Sequence, residues 1–183
     1  MFDRLYMTDR CALLLTMALF CAAPSVAAED INRAAVQTAS EMAACRDEGN
    51  RSAVLVSVKG IVGEDGNVRV QVYGDDPDAF LAKGKKLLRV DVPTEKDEMD
   101  VCVTLPAPGT YAFVAMHDKN ANGKADFFTE GFGFSNNPKL ILSAPDYEEV
   151  AYTVDQGNQE MEIRLTYMFQ TKEDKSKKRR RRR

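Results

Sequence analysis

The chain has 183 residues, a net charge of −3, four cysteines and a single histidine. One histidine is too thin a basis for a zinc site. No Gly-x-Ser-x-Gly elbow is present to place a hydrolytic serine.

The N-terminal stretch reads as an export signal. Cys11 to Ala23 is apolar apart from Thr16, small residues run to Ala28, and Glu29-Asp30 comes next. A short apolar core ending in small residues is the pattern of a secretory signal peptide, here 1–28. It is too short to span a bilayer, which takes about 20 apolar residues. Lipid attachment at Cys21 is disfavoured by the bulky Phe20 before it. Residues 29–50 are Ala-rich and polar, a linker or short helix carrying Cys45.

From 51 to 170 the texture is β. Ala53–Val58 is β-branched and apolar, Glu64-Asp65-Gly66-Asn67 is a turn, and Val68–Tyr73 alternates with period two. Together these predict a hairpin. Asp75–Lys86 is a polar excursion with room for one helical turn. Leu87–Val92 and Met99–Leu105 are short strands, and Pro106-Ala107-Pro108-Gly109 is a turn. Thr110–Met116 is apolar on both faces, which predicts a central strand. Gly131–Ser143 reads as irregular, and Glu148–Val154 and Met161–Phe169 as two closing strands around Gln156-Gly157-Asn158. About seven short strands with little helix predict an all-β fold, a single antiparallel β-sandwich. Cys45 and Cys102 are the cysteines left after signal removal. In an oxidising compartment they are expected to pair, the alternative being two buried thiols.

The C-terminal run Lys172–Arg183 holds nine basic and two acidic residues, a net +7. Residues 1–28 sum to zero, so residues 29–171 carry −10. A like-charged block cannot bury itself, and 171–183 is expected to be a disordered tail. It serves either as a solubiliser or as a contact for anionic lipid or lipopolysaccharide. Nucleic acid is the poorest partner for an exported chain.

One oxygen-rich run carries a chemical signal. In Asp118-Lys119-Asn120-Ala121-Asn122-Gly123-Lys124-Ala125-Asp126, oxygen side chains occupy positions 1, 3, 5 and 9 and glycine position 6. That is the spacing of a calcium loop, because a hard cation needs six to eight oxygens and glycine permits the sharp bend. Asp118, Asn120, Asn122 and Asp126 would supply side chains and Lys124 its carbonyl. Position 12 is Thr129 rather than an acid, and Glu130 comes one residue late. Two carboxylates imply weak binding, on the order of 10⁻⁴–10⁻³ M. The alternative is a metal-free loop held by its own Asx-turns. His117, before the loop, is either a hydrogen-bonding pin or a general base lacking a visible partner. In Gly131-Phe132-Gly133-Phe134-Ser135-Asn136-Asn137 the phenylalanines either plug the sandwich or present an aromatic face to a sugar or peptide.

Three segments occur in a fixed order: Pro108-Gly109-Thr110-Tyr111-Ala112, His117-Asp118 with the oxygen-rich loop, and Glu130–Asn137. In this the chain resembles a bacterial family of exported proteins known as domain-of-unknown-function family 2141, over roughly Ala53 to Phe169. Family members commonly have a longer insertion between the loop and the Glu-Gly-Phe-Gly-Phe segment than this chain. The resemblance implies an immunoglobulin-like or transthyretin-like sandwich and export, and brings no assigned activity. The expectation is therefore a periplasmic or secreted, non-catalytic and non-transmembrane module, stabilised by calcium and binding a protein or glycan. An adaptor docking through its tail is the alternative.

Overall fold

The computed structural model describes residues 39–46, 49, 51–141 and 143–169. The expected signal peptide, 1–28, and the expected disordered tail, 171–183, lie outside the described residues. The described residues form nine strands: β1 (Ser52–Lys59), β2 (Asn67–Tyr73), β3 (Leu88–Pro93), β4 (Glu98–Leu105), β5 (Gly109–Asp118), β6 (Gly131–Phe134), β7 (Ala151–Val154), β8 (Gly157–Arg164) and β9 (Thr166–Tyr167). A helical turn α1 (Ala39–Ala43) precedes them, and α2 (Tyr147–Val150) leads into β7. The polar excursion forms a 3₁₀ turn, Pro77–Ala79. No helix among the described residues is long and apolar enough to cross a membrane.

The strands make two sheets, as predicted, of order β4-β1-β8 and β3-β2-β5-β6-β9. Strand β7 also pairs with β5. All pairings are antiparallel except β1 with β8. Between the sheets lies a valine-rich core: Val54, Val56 and Val58 of β1 face Val68, Val70 and Val72 of β2, with Phe113 and Ile163. β-branched side chains pack well on such pleated surfaces. Strand β5 is the central strand expected, buried on both faces from Tyr111 to Asp118.

Each outer face carries its own apolar cover. On the three-stranded sheet, Ala44 and Cys45 pack against Ala53 and Cys102. Here the predicted Cys45–Cys102 disulfide is present, with Cα atoms 5.8 Å apart. It ties the segment before β1 to β4. On the six-stranded sheet, Phe132 and Phe134 pack with Tyr73, Val114, Tyr147 and Val150.

Four expectations need correction. The predicted hairpin does not form: β1 and β2 lie in different sheets. Its linking segment crosses the end of the sandwich because Ile61 and Val62 are buried there. Gly131–Phe134 is a strand rather than irregular. Its glycines face inward, where a Cβ on Gly133 would meet the Arg164 carbonyl at 2.6 Å and one on Gly131 the Tyr167 ring at 2.4 Å. Only glycine admits β8 and β9 that close. Residues Glu148 to Val150 belong to a helical turn, where the Glu149 carboxylate accepts from the Asp146 N–H at 3.0 Å. The last predicted strand starts earlier and is interrupted at Leu165, giving β8 and β9.

Candidate functional site

The oxygen-rich loop leaves the core at the end of β5. Its first residue, Asp118, is fully buried on the outer face of the six-stranded sheet. The carboxylate accepts the Asn122 N–H on Oδ1 at 3.1 Å and the Gly123 N–H on Oδ2 at 2.8 Å. Arg69 of β2 donates to the same Oδ2 at 3.1 Å and to the Gly123 carbonyl at 3.1 Å. Its Nε donates to Asp91, the residue opposite it on β3, at 2.7 Å. Arg89 also pairs with Asp91. Arg69 is 2% exposed, so this is a buried ion network, held by both charge and backbone donors.

The rest of the loop winds through successive Asx-turns. Asn120 Oδ1 accepts from Asn122 N at 3.0 Å, and Asn122 Oδ1 from Lys124 N at 2.7 Å. Asp126 Oδ1 accepts from Phe128 N at 2.9 Å. Gly123 has φ +77°, the left-handed bend that position 6 demands. Gly66 lies against the loop's base: a Cβ there would come within 2.0 Å of the Asp118 carbonyl. Among the described residues, no group of three or more His, Cys, Asp or Glu side chains is gathered so as to hold a metal.

Glu130 lies outside the expected ligand set, yet the structure brings it to the loop. Pairing of Gly131 with His117 carries it alongside Asp118, where β5 and β6 part. Its Oε2 accepts from Asp126 N at 2.8 Å. Residues 126–130 thus close a tight turn, with Glu130 N donating back to the Asp126 carbonyl at 3.0 Å. The short link between loop and strand β6 therefore does not keep Glu130 away. The residue is 1% exposed, and its Oε1 has no hydrogen-bond partner. Burial above all pushes its carboxyl up, the Asp126 N–H pulls the other way, and the Asp118 and Asp126 carboxylates, with a side-chain hydrogen bond to Asp118 in the protonated form, add to the rise, which reaches about 7. An orphaned, buried carboxylate oxygen is costly and calls for a cation or a proton. That demand fits the donor set of a hard-cation site. The signal in the sequence was the acid one place beyond position 12.

His117 faces the core. Its Nε2 lies 2.8 Å from the Asp65 carbonyl and its Nδ1 2.7 Å from the Tyr167 hydroxyl. The carbonyl can only accept, so Nε2 carries the proton and Tyr167 donates to Nδ1. Burial lowers its pKa. The ring pins the crossover between β1 and β2 to β9. Ser135 and the two asparagines are equally structural. Ser135 N donates to the Phe113 carbonyl at 2.9 Å, and the Ser135 hydroxyl bonds the Val150 carbonyl, tying the end of β6 to the end of α2 beside β5. Asn136 and Asn137 take φ of +62° and +50°. Asn137 grips β8 through the Glu162 carbonyl and the Arg164 N–H, both at 2.7 Å.

A model of the family described as "Uncharacterized protein conserved in bacteria (DUF2141)" matches residues 56–162. No curated protein and no solved structure matches the chain.

Proposed function

The chain belongs to the uncharacterised bacterial family DUF2141, and on that footing we propose that it is an exported, non-catalytic β-sandwich module stabilised by calcium at the strand-exit loop. The observation that carries the reading is the unpartnered Oε1 of buried Glu130 beside Asp118. A divalent cation there would take up that oxygen together with the remaining lone pairs of Asp118, Asn120, Asn122 and Asp126 and the Lys124 carbonyl. Export is supported by the apolar leader in the sequence and by the Cys45–Cys102 disulfide, which persists in oxidising compartments. The module's ligand on this reading is a protein or glycan of the cell envelope.

The test is a thermal melt in chelator and then in calcium. For a Kd of about 10⁻⁴ M and calcium at about 10⁻² M, binding to the native state alone adds roughly 2.7 kcal/mol. That is a rise of several degrees for a domain of this size. Magnesium should do much less, because its octahedral shell suits a fixed loop poorly. Equal melting temperatures in chelator and calcium would leave the loop a metal-free scaffold.

A further inference from the structure

Two phenylalanines of the 126–130 turn serve no part of the core. Phe127 is 57% and Phe128 71% exposed. Phe128 stacks on Phe169, itself 57% exposed, with ring centroids 5.5 Å apart. Phe127 stacks on Phe132 at 4.6 Å. These rings and Met168 line a groove of about 350 Å³. Ile141, 68% exposed, comes directly after Leu140 on its rim. Three of the six large apolar residues exposed among the described residues, Phe127, Phe128 and Phe169, are thus gathered at one place. A contiguous apolar patch of this kind marks a contact surface.

The charge of the chain beyond Phe169 points to the occupant. The basic run begins at Lys172, three residues after Phe169 in the sequence. Residues 172–183 carry +7, whereas residues 29–171 carry −10. The acidic body alone would be repelled by an anionic surface. The basic run supplies the charge that reverses this repulsion, and in the sequence it follows the exposed ring of Phe169. Rings at a bilayer interface bury apolar area, and basic residues beside them neutralise lipid phosphates. Stable attachment to a membrane takes two such signals, since one alone is marginal. Both are here, and Phe169 stands next to the basic run in the sequence.

We propose that Phe127, Phe128 and Phe169 insert into the interface of an anionic bilayer while Lys172–Arg183 binds its headgroups, the two acting as one anchor. The inference does not rest on calcium, and its test is run in chelator so that its failure leaves the calcium reading untouched. The protein, as processed by an exporting host and with its tail intact, is mixed with vesicles of phosphatidylcholine containing about one third phosphatidylglycerol, and with phosphatidylcholine alone. Three forms are compared: wild type, the triple variant Phe127→Ser, Phe128→Ser, Phe169→Ser, and a chain ending at Thr171. The substituted side chains are exposed, so the fold should survive; a melt checks this.

Wild type should cosediment with the anionic vesicles only, and more weakly as salt rises. Each altered form should bind at least about ten-fold more weakly. Wild-type binding by the triple variant would reduce the anchor to the tail and overturn the proposal, and so would wild-type binding by the truncated chain. The chain has no tryptophan, so Phe128→Trp is a clean reporter. Its emission should shift to the blue on anionic vesicles. Cosedimentation with unshifted emission overturns insertion. A blue shift that needs only higher protein concentration assigns the patch to a second copy of the chain and overturns it equally.

Discussion

Asp118 ends β5 and Glu130 immediately precedes its neighbour β6; both are buried carboxylates, and the fold treats them in opposite ways. Asp118 accepts two backbone N–H groups and a guanidinium. Glu130 accepts one backbone N–H and leaves Oε1 without a partner. Arg69 and Arg89 face Asp91 and Asp118, so cations and carboxylates balance within that network. Glu130 is an additional acid at its edge. The difference separates two kinds of buried charge. One is satisfied by the chain and holds the loop in place; the other presents an unmet demand that something outside the chain can fill.

The largest way to break the comparison is to remove the satisfied partner. Asp118→Ala leaves Arg69 buried with half its charge partners gone and strips the Asn122 and Gly123 N–H groups of their acceptor. Breaking a buried pair from one side costs about 3–5 kcal/mol. Urea unfolding in chelator measures it, and the calcium increment should vanish as well. A loss under about 1 kcal/mol would mean that water readily replaces the carboxylate and that the network does not hold the loop.

A smaller perturbation tests whether the comparison is local. Replacing Cys45 and Cys102 by serine removes the disulfide that covers the opposite sheet. It should lower stability by about 2–4 kcal/mol. Sites without shared partners add independently, so the calcium increment should stay within about 0.5 kcal/mol of wild type. A calcium increment that disappears with the disulfide would show that the loop responds to global stability and not to its own carboxylates.

The sequence showed one half of this comparison and hid the other. Asx-turns and a positive-φ glycine are local chemistry, so the run from Asp118 to Asp126 was legible from its spacing, bend included. Most strands were legible too, because valine alternation is local. The illegible part depends on pairing over distance. Glu130 stands beside Asp118 because Gly131 pairs with His117, a register that no turn signal announces. The turn at Glu64–Asn67 is real, yet it cannot say that β1 and β2 join different sheets. Arg69 sits in an alternating strand and reads as a solvated residue; only Asp91 and Asp118 on the strands either side make its burial tolerable. Nothing in the sequence marks Phe127 and Phe128 as exposed; the turn that Glu130 closes holds them in the open.

The smallest expected effect sharpens the comparison most. Glu130→Gln keeps the side chain's shape and its acceptor for the Asp126 N–H while removing the charge. In chelator the wild type either holds an unpaired buried charge at Glu130 or takes up a proton to relieve it, so the amide should be neutral or should stabilise by about 1 kcal/mol. In calcium the order should reverse. If losing the carboxylate weakens calcium about 100-fold, the increment at about 10⁻² M falls from roughly 2.7 to roughly 0.4 kcal/mol. Melts of both proteins in both buffers give the four numbers. The crossing is the informative part, because a purely structural glutamate would lower stability in both conditions when changed. An amide variant less stable than wild type in chelator, with an undiminished calcium increment, would place Glu130 with Asp118 among the groups that the fold itself satisfies.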